Sequence, residues 1–339
     1  MSTLETITSA GTQLGGLMAL VPILKEGTPL AIKIIDTVSK GIGIAYSPLN
    51  TYLNDKAQLV GLREIKNIIE DVSGDITIKK GDLEVSISNE NVSHRALSIM
   101  INKSIKEQIN IDEIVANAVN LIQCKINKDY NKISKEEVSE DWALRFFDIS
   151  KNIRDEEMKN LWASILADEV ISPGSYSLRT LETLKNMNRQ DAELFIKISN
   201  LALDTSHLVI IPESKQMLEK YNISFVDKVY LEELNLLQRD LSYNIEPNNE
   251  QFIMFGEKRC LIIKNISNKK VSFGILKLTN VGKEIYKLSN PTYDLKYLKE
   301  IGKGIQCLSK DLEVYYIDVV FNKDEGTISY NNNNINRIE

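Results

Sequence analysis

Apolar positions recur at helical spacing over most of the chain, and alternating or continuous apolar runs appear in only a few places. At 54–71, "NDKAQLVGLREIKNIIED" sets Leu59, Leu62, Ile65 and Ile69 on one face of a predicted helix. "DITIKKGDLEVSIS" alternates Ile76 and Ile78, then Leu83, Val85 and Ile87, around Lys-Gly-Asp, which predicts a β-hairpin over 75–88. A lone hairpin is marginal in water, so it should rest on a helix or a partner. Residues 94–126 are helical again. They are predicted as two helices parted near 110–112, with Asp112 capping the second before Ile114, Val115, Ala118, Leu121 and Ile122.

Ser139, Glu140 and Asp141 open a helix with the stripe Trp142, Phe146, Ile149 and Ile153. Asp155 to Glu157 open another, carrying Met158, Leu161, Trp162, Ile165 and Leu166 until Pro173-Gly174 stops it. Ser175 or Ser177 caps a third with Leu178, Leu181, Leu184 and Met187. Asn188 with Asp191 is a capping-box-like start for Ala192, Phe195, Ile198 and Ala202. Further on, Ser224 with Asp227 begins a helix bearing Val226, Val229, Tyr230 and Leu234. Strands are predicted at 252–255, 260–263, 273–278 and 313–321, with helices from "LTNVGKEIYKL" and over 294–308. The fold class that follows is mainly α with a smaller α+β part: a helical N-terminal and central region, a short β-hairpin, and a winged-helix-like C-terminal domain. Boundaries are placed at 1–53, 54–137, 138–205 and 206–330, with the polar tail "NNNNINRIE" at 331–339 predicted to be disordered.

The N-terminal segment departs from the rest. Residues 11–49 hold 19 apolar residues, five charges and six of the 16 glycines, and break near Gly27 to Pro29 into two helical pieces. Such a segment either packs on the body or another subunit, or seeks a membrane, and glycines suit close approach in both cases. It predicts a homo-oligomer formed through residues 11–49, with possible membrane contact. No basic residue precedes Lys25, so the apolar run 14–24 lacks the positive region of a secretory signal, and it is too short to span a bilayer.

Charge and reactive residues exclude several classes. With 41 basic and 47 acidic residues the net charge is −6, which argues against wholesale binding to a phosphate backbone. Three dispersed cysteines give neither a disulfide framework nor a CxxC metal site and fit a reducing cytoplasm, and two histidines leave little for a zinc site or a Ser-His-Asp triad. "SKGIGI" lacks the spacing and the preceding strand of a dinucleotide loop. Asp168, Glu169 and Glu182 with Arg179 could be drawn as an acid site. The simpler expectation is a solvated helix end, with Arg179 bonded to these carboxylates or to the last carbonyls. No catalytic, cofactor or metal residue is assigned.

One basic stretch stands out. Between 254 and 277, Lys258, Arg259, Lys264, Lys269, Lys270 and Lys277 face only Glu257, whereas the helix before it is net −2. Helix, hairpin and "LTxxG" have the look of a winged helix. Nucleic-acid contact, if made, should run through this wing, with a solvated basic edge as the alternative.

Residues 140–195, "EDWALRFFDISKNIRDEEMKNLWASILADEVISPGSYSLRTLETLKNMNRQDAELF", resemble the bacterial family known as domain of unknown function two-eight-zero-six. The likeness rests on the Phe-Phe-Asp helix with Trp142, the "DEEM..LWA.ILA.E" helix with Trp162, the "PGS.S.RT" corner with Pro173, Gly174 and Arg179, and the "DAE.F" helix. "KEQINIDEIVANA" upstream and "LEELNLLQ" and "LTNVGKEI" downstream extend it over about 94–288. Asn235 stands where the family tends to have Gly, and Asn also tolerates a left-handed helix end. The plan is more distantly similar to alpha-type abortive-infection proteins. That similarity implies a non-enzymatic effector of phage defence with an unknown protein partner, cytoplasmic and peripheral to the inner membrane when activated. The alternatives are a winged-helix nucleic-acid-binding regulator and, more remotely, a metal-dependent nuclease.

Overall fold

Pro29 opens α1, Pro29–Ile42, where its missing N–H costs nothing. The computed structural model describes residues 29–43, 75–79, 82–86, 92–126, 134–205, 207–256, 258–322, 327–330 and 335–338. The predicted helix at 54–71 lies outside the described residues, as does all of the apolar segment 11–49 except 29–43. The chain divides into two compact units, Met1–Leu181 and Glu182–Glu339. This division differs from the boundaries drawn at 138 and 206, because the helices after 138 pack with those before it.

In the first unit, β1, Asp75–Lys79, and β2, Asp82–Ser86, form the expected hairpin, with Ile76 opposite Val85 and Ile78 opposite Leu83. It leans on α2, Val92–Ile126, through β2. The predicted break at 110–112 is absent, and α2 is one helix. Asp112 accepts from Gln108 one turn back instead of capping, and Asn110 is buried with its amide donating to the Lys151 carbonyl at 2.8 Å. No Gly or Pro interrupts the backbone there, so burial of Ile111, Ile114, Val115, Ala118 and Ile122 carries the helix through.

α3, Glu140–Ser150, and α4, Glu156–Ile171, complete the helical core. Ser139 is the N-cap residue of α3 but makes no side-chain cap, whereas Asp155 caps α4 by accepting from Met158 N. α4 packs on α2, and the buried Lys159 ammonium joins them by donating to Glu113 at 2.5 Å and Glu156 at 3.0 Å. α1 packs on α3 with Ile34, Thr37 and Val38 buried. A Cβ on Gly41 would strike the Phe147 ring and come within 2.8 Å of the Ala143 carbonyl. Over 29–43 the apolar segment is therefore covered on one face by its own chain, with Ile32 left exposed, and Gly41 serves contact with α3. Among the described residues no helix is long and apolar enough to cross a membrane.

α5, Leu178–Asn186, holds the division between the units. The second unit begins with α6, Arg189–Ser199, whose Asn188–Asp191 capping box is present as predicted. β3, Leu203–Asp204, β4, Val209–Pro212, α7, Lys215–Lys220, and α8, Phe225–Glu233, follow, α8 again with its Ser224–Asp227 capping box. Then come β5, Leu237–Ile245, β6, Asn249–Phe255, β7, Arg259–Asn265, β8, Val271–Leu278, α9, Asn280–Tyr286, α10, Leu295–Gln306, β9, Leu312–Asn322, β10, Thr327–Tyr330, and β11, Asn336–Arg337. The strands expected to make a wing belong to a larger antiparallel sheet of nine, in the order β10-β9-β7-β6-β3-β4-β8-β5, with β11 also on β9. Asn235 does take the left-handed conformation at the end of α8, φ 57°.

The tail expected to be disordered is ordered at 335–338. β11 pairs with β9, and Ile338 is buried against Gly302 of α10, where a larger residue would collide with its side chain. The four-Asn run that suggested disorder, 331–334, lies outside the described residues.

Candidate functional site

The carboxylates of the Pro-Gly corner come first, because they were the nearest thing to an acid site. Glu169 is not solvated: it is 2% exposed, and its two oxygens accept from Gly174 N at 2.7 Å and Tyr176 N at 3.1 Å. Asp168 accepts from the Tyr176 hydroxyl at 3.0 Å and from Lys125 at 2.6 Å. Trp142 Nε1 donates to the Tyr176 carbonyl at 2.8 Å, and Gly174 takes φ 84°, which follows from its missing Cβ. Arg179 lies in the first turn of α5. These groups tie the α4–α5 corner to α2 and α3 and leave no acid pair facing a cavity. Trp142 and Trp162 are buried as expected, both packed on Phe146 at ring distances of 4.9 and 5.4 Å.

The predicted basic stretch divides in two. Lys258 and Arg259 lie at the β6–β7 turn, whereas Lys264, Lys269 and Lys270 lie at the other end of β7, roughly 17 Å away at strand rise. Neighbouring strands also bring carboxylates that are distant in sequence. Lys264 meets Glu250 at 3.3 Å and Lys270 meets Glu246 at 3.6 Å, so the far group is largely neutralised. On α8 the charges are committed as well: Asp227 to the capping box, Lys228 to Glu213 at 2.5 Å, and Glu232 to Arg239 at 2.6 Å.

Lys258 and Arg259 instead join four residues that sequence reasoning missed. α9 and the linker after it bring Lys283, Tyr286, Lys287 and Tyr293 to the same place, an open cleft of about 880 Å³ beside β3. Lys283, Tyr286 and Lys287 stand at i, i+3 and i+4, one face of a helix, and "KEIYK" carried that signal in the sequence. Tyr286 and Tyr293 share a hydroxyl–hydroxyl hydrogen bond of 2.9 Å, and Phe255 packs edge-on to Tyr293 at 5.1 Å. Gly256, φ 66°, lets the Tyr293 ring close over the turn, since a Cβ there would lie 2.6 Å from it. Among the described residues four cations line the cleft with one carboxylate, Asp204, and Lys283 also donates to the His207 carbonyl at 3.4 Å. Arg259 has Asp318 Oδ1 at 3.3 Å, yet its buried Nε lacks a hydrogen-bond partner. A water-accessible hollow with that balance of charge attracts anions.

A hollow of about 850 Å³ in the first unit offers no such bias: Glu107, Asp141 and Asp148 there face Arg145 and Lys151. Among the described residues no group of three or more His, Cys, Asp or Glu side chains could hold a metal ion.

A family model matches residues 94–302, more than half of the chain and including every element that lines the cleft. The chain belongs to the family described as Protein of unknown function (DUF2806). No curated protein and no solved structure matches it. In this DUF2806 protein the family region thus covers both the buried Trp corner and the cationic cleft.

Proposed function

We propose that the chain works by binding rather than by turnover, and that its second unit captures a phosphate-bearing ligand in the cleft beside β3. The observation that carries this reading is the convergence of Lys258, Arg259, Lys283 and Lys287, from two elements distant in sequence, on one hollow in which Asp204 is the one carboxylate among the described lining residues. Cations gathered in one hollow attract phosphate more strongly than the same charges spread over a surface. The wider role is that of an effector in phage defence with a protein partner, which is what the abortive-infection resemblance implies. Self-association through residues 11–49 belongs to that role.

The test is thermal unfolding of the full chain with inorganic tripolyphosphate and with a random-sequence oligonucleotide. At least one should raise the midpoint, less so at high salt, and K258E/K287E should remove the effect while K264E/K269E/K270E leaves it. If neither anion shifts the midpoint, the reading fails. A winged-helix nucleic-acid binder is the second reading, favoured by the order of α8, β5 and β8 and by the pairing of β5 with β8. It predicts oligonucleotide binding through the wing as a whole, so that K264E/K269E/K270E weakens it and changes at Glu232 and Glu233 on α8 do not.

A further inference from the structure

Building on the anion-binding reading, we infer that the cleft takes a nucleotide, a planar base carrying phosphates, and takes it as a small molecule rather than as part of a strand. Size gives the first argument. A bare phosphate would leave most of an 880 Å³ cleft unfilled, whereas sites for cofactor-sized ligands span roughly 300–1,000 Å³.

The second argument is the composition of the lining. The phosphate-directed groups are Lys258, Lys283 and Lys287 with the Arg259 guanidinium. Interleaved with them, Tyr286 and Tyr293, with Val209, Met254 and Pro291, supply apolar and aromatic lining of the kind a base needs. Asp204 and Asn290 add an acceptor and an amide, the groups that read the N–H and carbonyl edges of a base or the hydroxyls of a sugar. Asp204 is set there by the shape of the sheet. β3 is two residues long and meets β6 only at Asp204 opposite Met254, so this carboxylate stands where the ladder ends.

The third argument excludes a long strand. Proteins that hold single strands carry a continuous positive groove along the backbone path. Here two of the next cations along the sheet, Lys264 and Lys270, already face Glu250 and Glu246, which leaves Lys269 as an isolated charge rather than part of a continuous track.

The experiment is calorimetric titration of the full chain with ATP, GTP, inorganic tripolyphosphate, adenosine, and single-stranded oligonucleotides of increasing length. A nucleoside triphosphate should bind about 5- to 100-fold more tightly than tripolyphosphate, the range expected for stacking one base on an aromatic wall. Y286A should erase that advantage and leave tripolyphosphate binding in place, whereas Y286F should keep it. K258E/K287E should remove both. Equal binding of ATP and tripolyphosphate would overturn the nucleotide and leave the phosphate site standing. No binding of either would overturn both. Affinity for oligonucleotides that rises with length and exceeds that for ATP would also overturn the proposal, in favour of a strand. If Y286A does not fold, the comparison of ATP with tripolyphosphate on the unmodified chain still decides.

Discussion

Replacing Glu169 with Ala tests what holds the Pro-Gly corner. Glu169 sits in the last turn of α4, where the negative end of the helix dipole disfavours a carboxylate, and it is also buried. What offsets both costs is its pair of backbone hydrogen bonds from Gly174 and Tyr176, with the Lys33 ammonium of α1 attracting the carboxylate as well. In the Ala variant these two N–H groups lose their acceptor, at about 1–3 kcal/mol each. Removing the buried charge recovers part of that, so the net loss should be about 2–4 kcal/mol. E169Q, which keeps one acceptor oxygen but turns an amide N–H₂ toward the second donor, should fall between Ala and the native residue. The assay is urea unfolding followed by tryptophan fluorescence. Both tryptophans, Trp142 and Trp162, lie in the first unit, so emission reports that unit alone, and Trp142 is bonded to Tyr176 inside the corner. A variant within about 0.5 kcal/mol of the native chain, the usual range for surface changes, would refute the reasoning.

Three more outcomes follow from packing. G41A should destabilise the helical unit by about 1–3 kcal/mol in the same assay, because the added methyl meets Phe147 and the Ala143 carbonyl. Deleting residues 335–339 should lower the stability of the sheet unit by about 1.5–3 kcal/mol through exposure of the Ile338 site, read by circular dichroism in urea; no change would mean that the β11 pairing contributes nothing. Cys124 and Cys307 are exposed, while burial pushes the Cys260 thiol up to about 11; a thiol reagent at neutral pH should therefore label two cysteines quickly and the third only on unfolding.

The helices were legible because their start signals are local. Asp155, Asn188, Ser224 and Asp294 cap the helices they were read to open, and Pro29 and Pro173-Gly174 mark the boundaries assigned to them. The errors have one cause, which is packing over distance. α2 passes through Asn110 to Asp112 because a buried face and the Lys151 carbonyl supply what the local pattern lacked. β5 was missed because Gln238, Arg239 and Asp240 hide its alternation, with a bulge and a φ of 58° at Asp240. β4 is four residues, all buried, too short for a period to show. β11 is held by β9 and α10, which no property of an Asn-rich tail reveals.

The cleft shows the same limit for charge. Counting along the chain gave six cations against Glu257 between 254 and 277, and so a uniformly basic wing. Antiparallel pairing brings Glu246, Glu250 and Asp318 against three of those cations. Lys283 and Lys287, which fall outside that window, instead reach Lys258 and Arg259 from α9. Positive potential is therefore lost where the sequence was most basic at 264–270, and gained where it was only half visible. An i, i+3, i+4 set of Lys, Tyr and Lys on a short helix marks a ligand site only when the fold supplies the facing wall. Here that wall is the β6–β7 turn, brought into range by Gly256. Gly256→Ala, which displaces the Tyr293 ring and leaves all four cations unchanged, should thus weaken nucleotide binding more than tripolyphosphate binding. Equal loss of the two would mean that the turn acts through charge placement and that the aromatic wall has no part in recognition.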